Sequence, residues 1–220
     1  MFKGALFDLD GVIADTAAFH FSAWKNLIRK YFQTELPDKL EEKTKGVSRE
    51  DSLKIILDYL DITVSADCFN ELCNEKNQTY IEALDVLNSE NILPGILELI
   101  TKLRSSGIKL ALASASKNGP FILEKLGLSD AFDVIADPEK VTKGKPAPDI
   151  FLVAATGLGL SPSDCIGFED SVAGVTAINA AGVYSVAIGG EELNHAKVRF
   201  ATTACLNLPE IIARWESRGE

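Results

Sequence analysis

Two pairs of acidic residues follow short apolar segments and could bind a cation or take part in acid–base chemistry. Asp8 and Asp10 end the first apolar segment, and Glu169 and Asp170 end a later one. Side chains two residues apart on a strand point to the same face, so Asp8 and Asp10 would act together if strand geometry persists. Each pair alone is explained equally well by solvated loop acids or helix caps. A cluster of all four would repel itself without a cation, and oxygen ligands completed by a substrate phosphate indicate Mg²⁺.

A hydroxyl group and a lysine stand at two further segment ends. Ser114 follows the apolar segment 108–113 and precedes a helix start marked by Asn118 and Pro120. Backbone N–H groups and the helix dipole could bind an anion there, although an ordinary N-cap explains the same residues. Lys145 precedes another helix start, where a surface charge is the simpler explanation. If these segments are parallel strands, all these groups meet at the carboxyl edge of one sheet, where ligands bind.

Segments of strand and helix character alternate along much of the chain. Between the strand-like segments lie helical ones bounded by Gly, Pro and Asn, including 96–105, 121–126 and one that follows Asn207 and Pro209. This alternation predicts an α/β fold with a Rossmann-like parallel-sheet core and helices on both faces. Five segments have strand length and β-branched or aromatic content: 3–9, 108–113, 132–136, 165–168 and 183–188.

About eighty residues between the first strand and Pro94 show little strand character. Apolar residues recur there at helical spacing in three stretches, 17–31, 53–60 and 69–84. We therefore predict a helical cap domain inserted into the core. Its predicted limits are 16–91 for the cap, with 1–15 and 92–220 forming the core, and the two linkers side by side would make a hinge.

Composition excludes several classes of function. The 220 residues carry 22 Lys and Arg against 32 Asp and Glu, a formal net charge of −10, so a nucleic-acid partner is not expected. No apolar stretch approaches a membrane span and the N-terminus does not resemble a secretory signal, so we expect a cytoplasmic protein that does not bind a membrane. The four cysteines lack Cys-x-x-Cys spacing and are expected to be free thiols. We expect a monomer.

The four segment ends resemble the motifs of the haloacid-dehalogenase-like phosphotransferases. The resemblance implies that Asp8 is a nucleophile that forms an aspartyl phosphate and that Asp10 is the general acid and base. It implies that Ser114, Ala115 and Lys145 bind the transferring phosphoryl group. It also implies Mg²⁺ as cofactor, held by Asp8, Glu169, Asp170 and the backbone carbonyl of Asp10. The motifs are Asp8-Leu9-Asp10-Gly11-Val12, Ser114, Lys145-Pro146 and Glu169-Asp170.

The inserted segment resembles the caps of sugar-phosphate mutases within that family, on residues 45–53 together with the core segment 112–121. The implied reaction converts β-glucose 1-phosphate into glucose 6-phosphate, with β-glucose 1,6-bisphosphate as intermediate and activator. Sugar phosphates would then be the ligands of the protein. The resemblance implies the following substrate-binding residues: Thr16, His20, Trp24, Lys45, Gly46, Val47, Ser48, Arg49, Ser52, Lys76, Ser116, Lys117 and Asn118.

Local patterns agree with part of this set. Ser48 and Asp51 match a capping box, which places Arg49 in the first turn of a helix, where its charge opposes the dipole unless an anion binds. Arg49 could then bind a phosphate with two hydrogen bonds, although a solvated charge is the alternative. The resemblance implies that His20, with Lys76, orients Asp10 and senses closure, whereas the residue pattern alone favours a core histidine.

Some alternatives stay open at this level. Lys143 and Lys145 could each reach a phosphate, and the following Pro146 favours Lys145. A sugar-phosphate phosphatase of the same family would share Asp8, Asp10 and the other core motifs and would let water attack. A receiver-type module switched by phosphorylation would also use clustered acids, a hydroxyl and a lysine, but it has no need of the long helical insert. A catalytically inactive sugar-phosphate sensor is disfavoured because no expected catalytic residue is missing. The cap segment 45–49 favours the mutase.

Overall fold

The computed structural model describes residues 1–219. Six parallel strands form one sheet in the order β3-β2-β1-β4-β5-β6. The predicted α/β class with a parallel sheet is therefore confirmed. The strands are β1 (Gly4–Phe7), β2 (Lys109–Leu112), β3 (Val134–Ile135), β4 (Cys165–Glu169), β5 (Tyr184–Ile188) and β6 (Val198–Phe200).

Two details of the sheet differ from the sequence analysis. The strand β6 was not predicted, because three residues with one exposed Arg between two apolar side chains give too short a signal. The first strand ends at Phe7 rather than at residue 9. Gly11 then takes a positive φ of 77°, so strand geometry does not continue beyond Asp10. Asp8 and Asp10 therefore lie beyond the strand, although both residues line one cavity.

Helices cover both faces of the sheet. Strand residues alternate between the two faces, with Ala5 and Phe7 in one apolar cluster and Leu6 in the other. The first cluster receives α5 (Ile96–Ser105), α6 (Gly119–Lys125) and α9 (Leu208–Glu216), and the second receives α7 (Asp149–Gly157) and α8 (Val172–Ala180).

The long segment between β1 and α5 is helical. It contains α1 (Ala17–Phe32), α2 (Glu41–Thr44), α3 (Arg49–Leu60) and α4 (Ala66–Ala83). A separate apolar cluster with residues from α1, α3 and α4 holds these three helices together. The chain enters and leaves the segment side by side, since Leu93 N–H donates to Ile13 C=O at 2.9 Å. The domain limits proposed above stay a prediction.

The start of α3 follows the capping pattern in the sequence. Ser48 is the N-cap and its Oγ accepts the backbone N–H of Asp51 at 3.1 Å, which makes Arg49 the first helical residue. Within residues 1–219, no helix combines the length and apolarity needed to cross a bilayer. The four cysteines are free thiols.

Candidate active site

The candidate catalytic groups lie at the carboxyl edge of the three central strands. Asp8 directly follows β1, Ser114 follows β2 by two residues, and Glu169 ends β4. The backbone N–H of Asp8 donates to Phe168 C=O at 3.0 Å, which fixes the first acid beside the end of β4. The sheet order reverses between β1 and β4, and ligands bind at such a switch point in open α/β sheets.

Lys145 joins two of the acids. Its Nζ lies 2.7 Å from Asp8 Oδ1 and 2.9 Å from Glu169 Oε1, and its side chain is fully buried. Burial alone would lower the pKa of Lys145, but the two carboxylates hold it above its ordinary value. Lys143 is exposed on the loop. Of these two lysines, the geometry therefore brings Lys145 to the site.

Three carboxylates form a candidate metal site. Ligand oxygens of Asp8, Glu169 and Asp170 lie within 4.8 Å of one another, and all three residues are buried. Burial, reinforced by repulsion from Glu169, raises the pKa of Asp170 to about 7, and burial also raises the pKa of Asp8. Oxygen donors that repel one another at a sheet edge fit a hard divalent cation such as Mg²⁺.

The carboxylate of Asp10 is not part of this cluster, contrary to the four-acid cluster expected from the residue pattern. Its Oδ1 instead accepts hydrogen bonds from Thr16 Oγ1 and, at 3.3 Å, from the Tyr80 hydroxyl, and His20 Nε2 lies 3.5 Å away. Burial alone would raise the pKa of Asp10. The charge of His20, with hydrogen bonds from His20 and Thr16, lowers it to about 2.

His20 links Asp10 to a buried lysine. Lys76 Nζ hydrogen-bonds His20 Nδ1, so the other ring nitrogen, Nε2, faces Asp10. Burial, and then the charge of Arg49, lower the pKa of Lys76 to about 7. Lys76 lies among aromatic rings, 5.0 Å from the Trp24 ring centroid. The arrangement expected for His20 and Lys76 is present in the structure, and their part in the reaction stays a prediction.

Cap and core contact each other around the acids. Lys45 Nζ lies 3.0 Å from Asp170 Oδ2, and Asn118 Nδ2 donates to Asn77 Oδ1 at 3.0 Å. Gly46 packs so closely on Ser171 that a Cβ at position 46 would overlap the Ser171 hydroxyl. These contacts define a closed arrangement of the cap over the sheet edge.

A cavity of about 290 Å³ lies between cap and core. All but four of the predicted site residues line it, so residues from five separate chain segments meet there. The four exceptions are Thr16, Ser48, Lys145 and Glu169.

Each exception has another place. Thr16 is buried and hydrogen-bonds Asp10. Lys145 and Glu169 are paired with each other, and Lys145 lines a neighbouring cavity. Ser48 lines a neighbouring cavity of about 410 Å³, where its hydroxyl donates to Asp51 Oδ2 at 2.7 Å. The hydroxyl is engaged in capping α3, and the expected contact of Ser48 with substrate stays a prediction.

Several residues at the site were absent from the predicted set, among them Asn77 and Tyr80. Asn77 lines the cavity and bonds Asn118, and Tyr80 contacts Asp10. Tyr80 falls on the apolar stripe of α4, so its spacing indicated a core residue. Asn77 directly follows Lys76 in the sequence. Its position next to a predicted site residue was the only feature that could have indicated its place at the site.

Residues 2–182 match the family described as haloacid dehalogenase-like hydrolase. The chain therefore belongs to the haloacid dehalogenase-like hydrolase family, as the motifs predicted. The match includes β1, β4 and the intervening helical segment, and it covers the acids at both strand ends.

The most informative relatives have similar lengths. A β-phosphoglucomutase of Bacillus subtilis is 42% identical over 219 residues, which is 97% of this chain and 96% of the relative. A phosphorylated carbohydrates phosphatase of Thermotoga maritima is 32% identical over 198 residues, 89% of this chain and 88% of the relative. The crystal structure of a β-phosphoglucomutase from Clostridium difficile matches with a TM-score of 0.95 at 41% identity, covering 98% of each chain. The predicted fold class is again confirmed.

Proposed function

We propose that this protein is an isomerase, a β-phosphoglucomutase that interconverts β-D-glucose 1-phosphate and D-glucose 6-phosphate. The observation that carries the proposal is the closed cavity in which Asp8 and Ser114 of the core face Arg49 of the cap. A site with a phosphate-binding group on each side suits a sugar that carries two phosphates. The near full-length relationship to a β-phosphoglucomutase supports the same activity.

Asp8 is the nucleophile. Lys145 contacts Oδ1, so Oδ2 is the oxygen available to attack phosphorus. The bond from Asp8 to phosphorus forms as the bond between phosphorus and the sugar oxygen breaks, which gives an aspartyl phosphate. Ser114, the backbone of Ala115 and Lys145 offset the charge of the transferring phosphoryl oxygens.

Asp10 moves the proton. Its low pKa of about 2 favours the carboxylate, the form that accepts the proton of the sugar hydroxyl that attacks the aspartyl phosphate. The same proton is returned to the departing sugar oxygen in the other half of the reaction. Thr16 and His20 hold the carboxylate on one oxygen and leave the second for this transfer.

Asp8, Glu169, Asp170 and the backbone carbonyl of Asp10 are the candidate ligands of Mg²⁺. When bound, Mg²⁺ supplies positive charge that stabilises the oxygens of the transferring group. Glu169 also accepts the backbone N–H of Ser171 at 2.9 Å, which fixes its carboxylate at the end of β4.

The second phosphate is held away from Asp8. Arg49, Ser116, Lys117 and Asn118 line the cavity and can bind it with guanidinium, hydroxyl, ammonium and amide groups. β-Glucose 1,6-bisphosphate can bind either way round, so that the oxygen on C1 or on C6 faces the nucleophile. This reversal is what makes the reaction an isomerisation.

The remaining cap residues close the site. The cavity lining includes five further cap residues: Lys45, Gly46, Val47, Ser52 and Trp24. Lys76 fixes His20 from behind. A closed cap favours the sugar hydroxyl over water because it positions the one and excludes the other.

Phosphorus NMR of the purified protein with β-glucose 1-phosphate, Mg²⁺ and a trace of β-glucose 1,6-bisphosphate tests the proposal. The expected product is glucose 6-phosphate. A reaction that yields mostly inorganic phosphate would instead identify a phosphatase. We also propose that the protein is a cytoplasmic monomer that acts on free sugar phosphates. Light scattering measures the oligomeric state.

A further inference from the structure

We propose that Tyr80 is a positioning residue for Asp10. Its hydroxyl holds one carboxylate oxygen of Asp10 so that the other is directed at the sugar oxygen that exchanges the proton. This inference rests on the proposed function. It concerns a residue that was not part of the predicted site.

The contacts of Asp10 are one-sided. Thr16, His20 and Tyr80 all approach Oδ1. Within residues 1–219 every fully buried side-chain oxygen has a hydrogen-bond partner. Asp10 Oδ2 accepts no hydrogen bond from these residues, whereas Oδ1 accepts two. Oδ2 is therefore not fully buried, and it opens on the cavity that Asp10 lines. The three groups therefore orient the carboxylate through Oδ1 and leave Oδ2 available for proton transfer.

Tyr80 also fixes the partner of Asp10. Its ring stacks on the His20 ring with centroids 3.8 Å apart and planes at 23°, and Lys76 Nζ lies 4.7 Å from the Tyr80 centroid. The side chain is fully buried. A single residue of α4 thus touches Asp10, His20 and Lys76, and the ring alone could serve packing. The hydroxyl is the part with a distinct task, because only it reaches the carboxylate.

A test must distinguish the effect of the Tyr80 hydroxyl from that of its ring. It must also distinguish an effect on proton transfer from an effect on the other steps of the reaction. Tyr80→Phe keeps the stacked ring and removes only the hydroxyl. Proton donation by Asp10 matters when Asp8 takes a phosphoryl group from a sugar, whose oxygen leaves poorly without a proton. It does not matter with acetyl phosphate, because the acetate oxygen leaves without one.

The experiment measures phosphorylation of Asp8 by rapid quench, with β-glucose 1,6-bisphosphate and with acetyl phosphate as donors. For Tyr80→Phe we expect the rate from the bisphosphate to fall about five- to twentyfold and the rate from acetyl phosphate to stay within about twofold. The KM for β-glucose 1-phosphate should also stay within about twofold while kcat falls, because the hydroxyl orients a proton carrier rather than binding the sugar.

Tyr31→Phe is the matched control. It removes a hydroxyl that hydrogen-bonds the partly exposed carboxylate of Glu75 in the same cap, and both rates should be unchanged. Equal losses with both donors, or no loss with either, would overturn the role of Tyr80. A wild-type protein that fails to isomerise the sugar phosphate would instead overturn the proposed function, so the two failures are distinguishable.

Discussion

Lys45 of the cap and Asp170 of the core form an ion pair of 3.0 Å over the acidic cluster. Asp170 raises the pKa of Lys45 although burial opposes this, so the lysine stays charged. The carboxylate that closes the cap is thus one of the three candidate metal ligands. Cap closure and metal binding therefore share one group.

Removing this ammonium should strengthen metal binding. In Lys45→Met the cation beside Asp170 is gone, so we expect the dissociation constant of Mg²⁺ to fall about three- to tenfold. Titration calorimetry without substrate measures it. Lys125→Met, which breaks the ion pair of Lys125 with Asp85 far from the acids, should leave the constant unchanged. Unchanged or weaker binding in Lys45→Met would show that the lysine and the metal do not compete.

A side chain at position 46 should hold the cap open. In Gly46→Ala the new Cβ would overlap Ser171, so the mutase kcat/KM should fall about tenfold or more and the fraction of phosphoenzyme lost to water should rise. Gly107→Ala is a matched control, because Gly107 has the same φ of 74° and open space around it. Similar kinetic losses in both variants would assign the effect to backbone strain rather than to closure.

Arg49 should matter for the sugar phosphate and not for small donors. Arg49→Ala removes a cation from the cavity, so we expect kcat/KM for β-glucose 1-phosphate to fall about ten- to hundredfold. Phosphorylation of Asp8 by acetyl phosphate should change little, since that donor has no second phosphate. Lys43→Ala removes an exposed cation nearby and serves as the control. Equal losses with both donors would count against binding of a second phosphate at Arg49.

Burial of Lys76 should lower the free energy of unfolding at neutral pH. Its pKa falls from 10.5 to about 7 on folding, so the unfolded chain binds the proton more tightly. The resulting penalty is complete below pH 7 and disappears as the pH rises towards 10.5. Lys76→Met should therefore stabilise the protein by about 2 kcal/mol at pH 7, with a smaller gain at pH 9, while it lowers mutase activity.

Denaturant unfolding at both pH values measures the effect. Lys30→Met, at an exposed ion pair with Glu75, should show neither the gain nor its pH dependence. A Lys76→Met protein less stable than wild type at pH 7 would mean that the contacts of the ammonium outweigh its burial.

The sequence predicted the parallel sheet and the edge that carries the candidate active site, because long periodic segments and strand-end motifs are local signals. It missed β6, whose three residues depend on pairing with β5. It expected Asp10 in the acidic cluster because spacing along a strand cannot show that the chain turns at Gly11. Tyr80 was missed for a similar reason, since its contact with Asp10 joins residues 70 positions apart.

The most direct test follows a labelled phosphoryl group through one turnover. The protein is first phosphorylated with a ³²P label, and peptide mapping locates the label, with the Asp8→Asn variant as the control. The phosphoenzyme is then mixed with β-glucose 1-phosphate and Mg²⁺. The account predicts label on the peptide that contains Asp8, absent from the variant, and its transfer mainly to glucose bisphosphate. Label on another peptide, or release mainly as inorganic phosphate in the presence of the sugar, would contradict it.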